Sequence, residues 1–418
     1  MIYLDYNATT PVDTQVVDTI TDCLLNGWTN PSSSYATASC GVVDVRALIR
    51  TARSRVAAMI NAADGDDIVF TSGGTEANNW VIYSSVRYYA KELTVSGDDR
   101  RRPHVITTNI EHDSICEPLR ALMDDNIDSL VVRPINVTFV AVSTKTGSVS
   151  AEDIMNAVRP ETCFVTVMMA NNETGVIQPI ADIARQLRKL NAQRVATGLP
   201  RILFHSDIAQ AVGKIEVNVC ELGVDFATIV GHKFYGPKIG ALYRRNSVPL
   251  MPMLYGGGQE SGLRPGTENV PMIVGLGKAS DLVVNNLDKY RQHFAELQTY
   301  LETQLRNRFG KLIVINCDNC PNGRLPNTTS LSFCESHPIA GKILATTTSL
   351  RASMGAACHS HNMKKEIPSK VLLASGLSAE LAQRTIRLST GRQTTKDDID
   401  RAIHDLSNTI NKLLLNDK

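Results

Sequence analysis

Residues 68–79 read Ile-Val-Phe-Thr-Ser-Gly-Gly-Thr-Glu-Ala-Asn-Asn. An apolar run suited to a buried strand is followed by small and polar residues that lead into a helical pattern. The same order recurs along the chain, where short apolar runs alternate with helical segments such as 180–192. This alternation predicts an α/β fold with a large, mostly parallel sheet that helices cover on both faces.

The strand candidates of this sheet are short, and most are bounded by Gly, Asn, Asp or Pro. They are 68–70, 105–107, 164–168, 202–204, 226–230 and 241–243. A helix is predicted over 45–60 because its apolar side chains fall on one stripe. Two segments near 92–103 and 191–200 are interpreted as surface loops.

The pattern changes after about residue 270, where a helical stretch over roughly 272–309 precedes strands near 312–316 and 329–334. Further helices follow, which indicates a smaller α+β domain. We therefore predict three parts of the chain. They are an N-terminal segment (1–25) that packs with the small domain, a large cofactor domain (26–270) and a small domain (271–418).

Composition narrows the class of protein. The 418 residues are 43% hydrophobic and 20% charged with a formal net charge of +1, as in ordinary soluble proteins. This balance argues against nucleic acid or an anionic membrane as the main partner. No signal peptide or membrane span is recognisable, and nine cysteines at irregular spacing favour a reducing compartment. We expect a cytoplasmic protein.

Polar residues follow several of the strand candidates, at the sheet edge where open α/β folds bind ligands. The Gly73-Gly74-Thr75 stretch, at a helix N-terminus, is either a phosphate cradle or a simple turn. His112 is either a functional base or a structural hydrogen-bonding residue. Asp207 would be costly at a buried strand end unless it met a cation, and Lys233 is either a surface residue or an amine in the same crevice.

Pyridoxal 5′-phosphate needs this set of groups. Its phosphate needs hydrogen-bond donors, its ring nitrogen needs an anion, and its aldehyde needs a lysine for a Schiff base. The sequence therefore favours a site for this cofactor at one edge of the sheet.

Nine motifs, in order along nearly the whole chain, resemble those of the class V, fold-type-I enzymes that include cysteine desulfurases and selenocysteine lyases. The motifs are YLDYNATTP (3–11), FTSGGTEANN (70–79), EH (111–112), NNETG (171–175), SDIAQ (206–210), GHKFYGP (231–237), GGGQESGLRPGTEN (256–269), MGAACHS (354–360) and TIRLSTGR (385–392).

The resemblance implies a role for each matching residue. Lys233 would be the Schiff-base lysine that also moves the Cα proton, Asp207 the partner of the ring nitrogen, and His112 the catalytic histidine stacked on the ring. The groups near the phenolic oxygen and the phosphate would be Asn172, Gln210, Gly74, Thr75 and His232.

The remaining implied roles concern the substrate, the chalcogen and the partner subunit. Arg387 and Asn7 would bind the substrate, and Arg387 would hold its carboxylate. Cys358 would be the catalytic cysteine, with an incidental thiol as the alternative. Thr267 would reach the phosphate of a partner subunit, which implies a homodimer with shared active sites.

Two features do not fit the pattern directly. Val230 stands where many desulfurases have a hydroxyl residue that donates to the phosphate, although Val there also resembles animal-type selenocysteine lyases. Cys317 and Cys320 form a C-x-x-C that could be a redox pair or half of a metal site, but we interpret them as incidental loop thiols and predict no metal.

The predicted reaction is conversion of L-selenocysteine to L-alanine and selenide. Four stretches, GGGQE, RPGTEN, TIVGHKFYGP and MGAACHS, resemble selenocysteine lyases more than desulfurases. The resemblance therefore favours this reaction over the first alternative, a cysteine desulfurase that forms a persulfide on Cys358. A second alternative is a catalytically silent protein of this fold in a sulfur-carrier assembly. A selenium or sulfur acceptor protein is a further expected partner.

Overall fold

The structure is a computed structural model that describes residues 1–34, 43–63, 68–95, 102–124, 134–334, 337–355 and 367–416. The strands are β1 Ile2–Tyr3, β2 Ile68–Thr71, β3 His104–Thr108, β4 Asn136–Val140, β5 Thr162–Thr166, β6 Leu203–Asp207, β7 Phe226–Val230, β8 Gly240–Arg244, β9 Ile313–Ile315, β10 Thr328–Phe333, β11 Leu350–Arg351 and β12 Thr385–Ser389.

The helices lie between these strands and cover them. They are α1 Thr14–Asn26, α2 Val45–Met59, α3 Gly74–Val95, α4 Asp113–Met123, α5 Ala151–Asn156, α6 Ile180–Ala196, α7 Val219–Leu222, α8 Val270–Phe309, α9 Ala340–Thr346, α10 Lys370–Ala374, α11 Ala379–Gln383 and α12 Lys396–Asn416.

The large sheet has the strand order β2-β8-β7-β6-β5-β3-β4. Its pairings from β7 to β4 are parallel, and β8 alone runs antiparallel to both of its neighbours. The predicted α/β fold with a mostly parallel sheet is therefore confirmed. Because β2, β3, β6 and β7 all point the same way, the residues that follow them meet at one edge.

A second, antiparallel sheet has the order β12-β10-β9, and β1 pairs with β11 beside it. Helix α8 joins the two parts of the molecule. Its first half is buried in the core of the large sheet, from Val270 to Val283, and its second half in the core of the small sheet, from Leu297 to Phe309. At about 1.5 Å per residue, a helix of 40 residues is long enough to span both cores.

Sequence patterns misplaced two segments and missed four strands, β1, β4, β11 and β12, of which β11 and β12 lie where only helices were predicted. Residues 191–196 belong to α6 and residues 92–95 to α3, so neither predicted loop is a loop throughout. Strand β4 was not predicted because it lies at the sheet edge, where most of its side chains are only partly buried. No helix in the described part of the chain could cross a membrane.

Candidate active site

A cavity of about 240 Å³ lies at the carboxyl edge of the large sheet. Among the described residues, every predicted site residue except Thr267 lines it. Its walls come from the ends of β2, β3, β6 and β7, from the N-terminal segment and from β12 of the small sheet. The fold therefore brings together residues that are separated by up to about 380 positions in the chain, such as Asn7 and Arg387.

One corner of the cavity is formed by the start of α3. The first residues of this 22-residue helix, Gly74 and Thr75, line the cavity, so the helix presents its unpaired N–H groups and positive dipole end there. A Cβ atom at Gly74 would lie 2.5 Å from Cγ2 of Val230, so only glycine fits. This corner suits an anion such as phosphate.

His232 lies beside the same corner. Its Nδ1 is 3.1 Å from Oγ1 of Thr9. Burial, followed by the charges of Lys233 and Lys238, lowers the pKa of His232 to about 4. The imidazole is therefore neutral near pH 7 and can act towards an anion as a hydrogen-bond donor only, not as a cation.

Asp207 ends β6 and is 9% exposed. One carboxylate oxygen accepts from the backbone N–H of Ala209 at 3.0 Å, and the other accepts from Nδ2 of Asn78 at 2.9 Å. Within the described residues, no basic side chain forms an ion pair with Asp207. A buried carboxylate with neutral donors alone is unfavourable, and a cationic group in the cavity would complete its environment.

His112 precedes α4 and caps its N-terminus. The backbone N–H of Ser114 donates to Nδ1 of His112 at 3.1 Å, so the neutral ring carries its proton on Nε2. The hydroxyl of Ser114 lies 2.8 Å from the same Nδ1 and accepts from Asn78 at 2.8 Å. His112 thus connects through Ser114 and Asn78 to Asp207.

Lys233 closes the short 3₁₀ turn after β7. A Cβ atom at Gly231, where the turn begins, would lie 2.5 Å from the backbone oxygen of Pro237, so the turn requires glycine there. The amine of Lys233 donates to the backbone oxygens of Asn7 at 2.6 Å and Ala8 at 2.9 Å. The N-terminal segment therefore holds the amine at the wall of the cavity.

Asn7 and Gln210 are joined by a hydrogen bond at this wall of the cavity. Nε2 of Gln210 donates to the backbone oxygen of Asn7 at 3.0 Å. The side-chain amide of Asn7 donates to Oγ1 of Thr328 at 2.8 Å and accepts from Nδ2 of Asn327 at 3.1 Å. Because the amide is engaged within the protein, a direct contact between Asn7 and substrate remains a prediction.

Arg387 lies on β12 with only 2% of its surface exposed. Nη1 donates to the backbone oxygen of Asn172 at 2.8 Å, and Nη2 donates to Oδ1 of Asp5 at 2.6 Å. Its Nε has no hydrogen-bond partner although it is buried. The guanidinium is therefore held in place and still has an unsatisfied donor, as expected of a group that receives a carboxylate.

Two predicted site residues are not part of the described cavity lining, for different reasons. Thr267 is exposed in the segment before α8, so it does not contribute to the cavity of its own chain. Cys358 lies outside the described residues. The described chain before it ends at Gly355, and Ser353 pairs with Arg387 through backbone hydrogen bonds of 3.4 and 2.7 Å.

The C-x-x-C residues, Cys317 and Cys320, are both free thiols. Burial raises the pKa of Cys317 to about 11 and also raises that of Cys320, which disfavours reactive thiolates. Among the described residues, no group of three or more His, Cys, Asp or Glu side chains could hold a metal ion.

The cavity fits pyridoxal phosphate on the chemistry of its groups. A glycine-lined helix N-terminus suits the phosphate, the Asp207 carboxylate suits a protonated ring nitrogen, and the Lys233 amine suits the aldehyde. Sequence reasoning missed three groups around these residues, namely the half-buried Asp5 and the buried Asn78 and Lys214. Asp5 and Asn78 lie inside recognised motifs, but only the fold shows what they contact.

Comparisons with known proteins agree with this geometry. The family model described as aminotransferase class V matches residues 2–402. A selenocysteine lyase from Rattus norvegicus is 48% identical over 99% of this chain and 95% of its own length. A mitochondrial cysteine desulfurase from Saccharomyces cerevisiae is 37% identical over 98% of this chain and 75% of its own length. A solved NifS-like protein, 30% identical, superposes with a TM-score of 0.80 and covers 99% of both chains.

Proposed function

Because the chain belongs to the aminotransferase class-V family, we propose that it is a pyridoxal-phosphate-dependent lyase that converts L-selenocysteine to L-alanine and selenide. The observation that carries the proposal is the convergence of the Lys233 amine, the Asp207 carboxylate and the Arg387 guanidinium on one cavity. Selenium is favoured over sulfur because the chain is 48% identical to a selenocysteine lyase and 37% identical to a cysteine desulfurase.

The bound cofactor would supply an aldehyde for a covalent link to an amine and a ring that withdraws electrons from the substrate Cα. The chain's own residues have the other tasks. Arg387 holds the substrate carboxylate, and Lys233 removes the Cα proton and later returns one to the product. The carboxylate of Asp207 would stabilise a protonated ring nitrogen of the cofactor. It is buried and has no cationic partner in the described structure.

Cys358 accepts the chalcogen in this proposal. Its thiol attacks selenium, the Cβ–Se bond breaks, and a proton replaces selenium on Cβ, so that alanine and a perselenide on Cys358 are formed. Two external thiols then release selenide: they supply two electrons and become a disulfide, and Cys358 returns to a thiol. The described chain on the N-terminal side of Cys358 supports this role, because Ser353 bonds to the backbone of Arg387 and its hydroxyl donates to Asp5 at 2.8 Å.

The test compares alanine formation from L-selenocysteine and from L-cysteine, in the presence of a thiol reductant. We expect the wild type to prefer L-selenocysteine by at least tenfold in kcat/KM, and Cys358→Ala to lose nearly all remaining activity on L-cysteine. Cys220→Ala is the matched control, because Cys220 is an exposed free thiol away from the cavity. Equal or better turnover of L-cysteine by the wild type would instead favour a cysteine desulfurase.

The same proposal includes a homodimer with shared sites. Thr267 is exposed and does not line the cavity of its own chain, which suits a residue that serves a partner. Its position beside the start of α8 leaves its side chain available to a second copy.

Subunit complementation tests the shared site. Lys233→Ala and Thr267→Ala chains carrying different tags are co-expressed, and the mixed dimer is isolated. If Thr267 acts on the partner's site, the mixed dimer has one complete site and about half of the wild-type activity. If Thr267 acts on its own site, the mixed dimer is no more active than the Thr267→Ala parent, and a monomer in solution would also refute the proposal.

A further inference from the structure

Lys214 is a buried lysine behind the cavity wall. It is only 3% exposed and follows Gln210 by four residues. Its amine donates to Oε1 of Gln210 at 2.7 Å and to Oδ1 of Asn7 at 3.2 Å. Lys214 does not line the cavity, so it has no direct route to a bound substrate.

The surroundings of Lys214 do not favour a charge. In the described structure, no carboxylate forms an ion pair with it, and the charged groups that face it are Lys233 and Arg387. Burial, together with these two cations, lowers the pKa of Lys214 well below its ordinary value. The hydrogen bonds to Gln210 and Asn7 are therefore the contacts that hold its amine.

The two residues that accept from Lys214, Gln210 and Asn7, are connected by hydrogen bonds to the amine of Lys233. Because Oε1 of Gln210 is fixed by Lys214, Nε2 of the same amide faces the backbone oxygen of Asn7 at 3.0 Å. That oxygen also accepts from the Lys233 amine at 2.6 Å. Without Lys214, Oε1 of Gln210 would lose its partner and the amide could rotate.

We infer that Lys214 is a positioning residue that fixes the amide of Gln210 and the side chain of Asn7, and through them the amine of Lys233. This inference rests on the proposed function for the role of Lys233, but the contacts of Lys214 are independent of the substrate.

Lys214→Met is the main test, because methionine is unbranched and only one atom shorter than lysine, and it removes the hydrogen-bond donors. We expect kcat to fall about tenfold with little change in KM, because substrate binding by Arg387 is untouched. We also expect the pH midpoint of the visible absorbance of the bound cofactor to move by at least half a unit. Lys214→Gln, which offers a neutral amide with two N–H groups, should retain more of both properties.

A double-mutant cycle separates positioning from a general loss of packing. If Lys214 acts through Gln210, Lys214→Met should cost less than twofold in a Gln210→Ala background. Lys189→Met, which changes an exposed lysine on α6, should match the wild type in kcat and in the absorbance midpoint.

The outcomes distinguish this inference from the proposed function. Suppose that the wild type binds the cofactor and converts L-selenocysteine, but Lys214→Met has a wild-type kcat and absorbance midpoint. The positioning role of Lys214 is then refuted, and the proposed function still stands. Additive losses in the double-mutant cycle would also refute it. A wild type without bound cofactor would refute the proposed function instead. If Lys214→Met does not fold, Lys214→Gln carries the same comparison.

Discussion

Two sides of the cavity have opposite electrostatic character. On one side, the carboxylate of Asp207 is surrounded by neutral donors and has no cationic partner in the described residues. On the other side, Lys233, Lys214 and Arg387 lie near one another, and Asp5 is the carboxylate that pairs with Arg387.

This difference in charge indicates which group each side of the cavity would bind. A protonated ring nitrogen would complete the first side, and a substrate carboxylate would complete the second. Burial and the two neighbouring cations lower the pKa of Lys214, which disfavours a further positive charge on the second side. Each side can be altered separately by mutation.

The largest effect is expected at Asp207. In Asp207→Asn, the shape is kept but the charge that stabilises a protonated ring nitrogen is lost, so kcat should fall about 10²–10³-fold, within the range of a key charged or proton-transferring group. The measurement is alanine formation by cofactor-loaded enzyme. Asp207→Glu keeps the charge and should recover part of the loss. Activity within threefold of the wild type in Asp207→Asn would contradict the assigned role.

A smaller effect is expected at Arg387. Arg387→Lys keeps a positive charge but loses the planar fork that can hold a carboxylate by two hydrogen bonds. We expect kcat/KM to fall about 10- to 100-fold, mainly through a higher KM, or about 1.4–2.7 kcal/mol of transition-state stabilisation.

Arg384→Lys is the control for this change, because Arg384 donates to the backbone oxygens of His337 and Glu380, away from the cavity. Its kinetic constants should stay close to those of the wild type. If Arg387→Lys lowered kcat and left KM unchanged, Arg387 would not be the group that binds the substrate carboxylate.

The smallest effect is expected at Val230. Val230→Thr places a hydroxyl at the phosphate corner, where many desulfurases have one, and should tighten cofactor binding about two- to fivefold by adding one hydrogen bond worth roughly 0.5–1 kcal/mol. Equilibrium titration of the apoenzyme with pyridoxal phosphate measures this. Val230→Ala, which adds no hydroxyl, should not bind more tightly. If Val230→Thr bound pyridoxal phosphate more weakly than the wild type, the phosphate would not lie beside residue 230.

The sequence predicted the strands of the large sheet that carry the site, but it missed β12 of the small sheet, which carries Arg387. Strand β7 has its predicted bounds, and the residues after β2, β3, β6 and β7 do meet at one edge, because parallel strands align their carboxyl ends. The predicted selenocysteine lyase and desulfurase relationship is confirmed by the family match and the identities. The domain boundaries and the individual roles stay predictions.

Other features could not be read from the sequence because they depend on distant contacts. Lys214 bonds to Asn7, 207 residues away, and Asp5 pairs with Arg387, 382 residues away. No periodicity or local motif encodes such pairs. Residues 191–196 looked like a loop because they are polar, but they continue the exposed end of α6.

The central claim is that Lys233, and not the neighbouring Lys214, is the amine that takes the cofactor. Purified enzyme loaded with pyridoxal phosphate is reduced with borohydride, digested and analysed by mass spectrometry. We predict that the pyridoxyl mass is found on Lys233, and that Lys233→Ala protein is neither labelled nor active. A label on Lys214 or another lysine, or an active Lys233→Ala enzyme, would contradict this account.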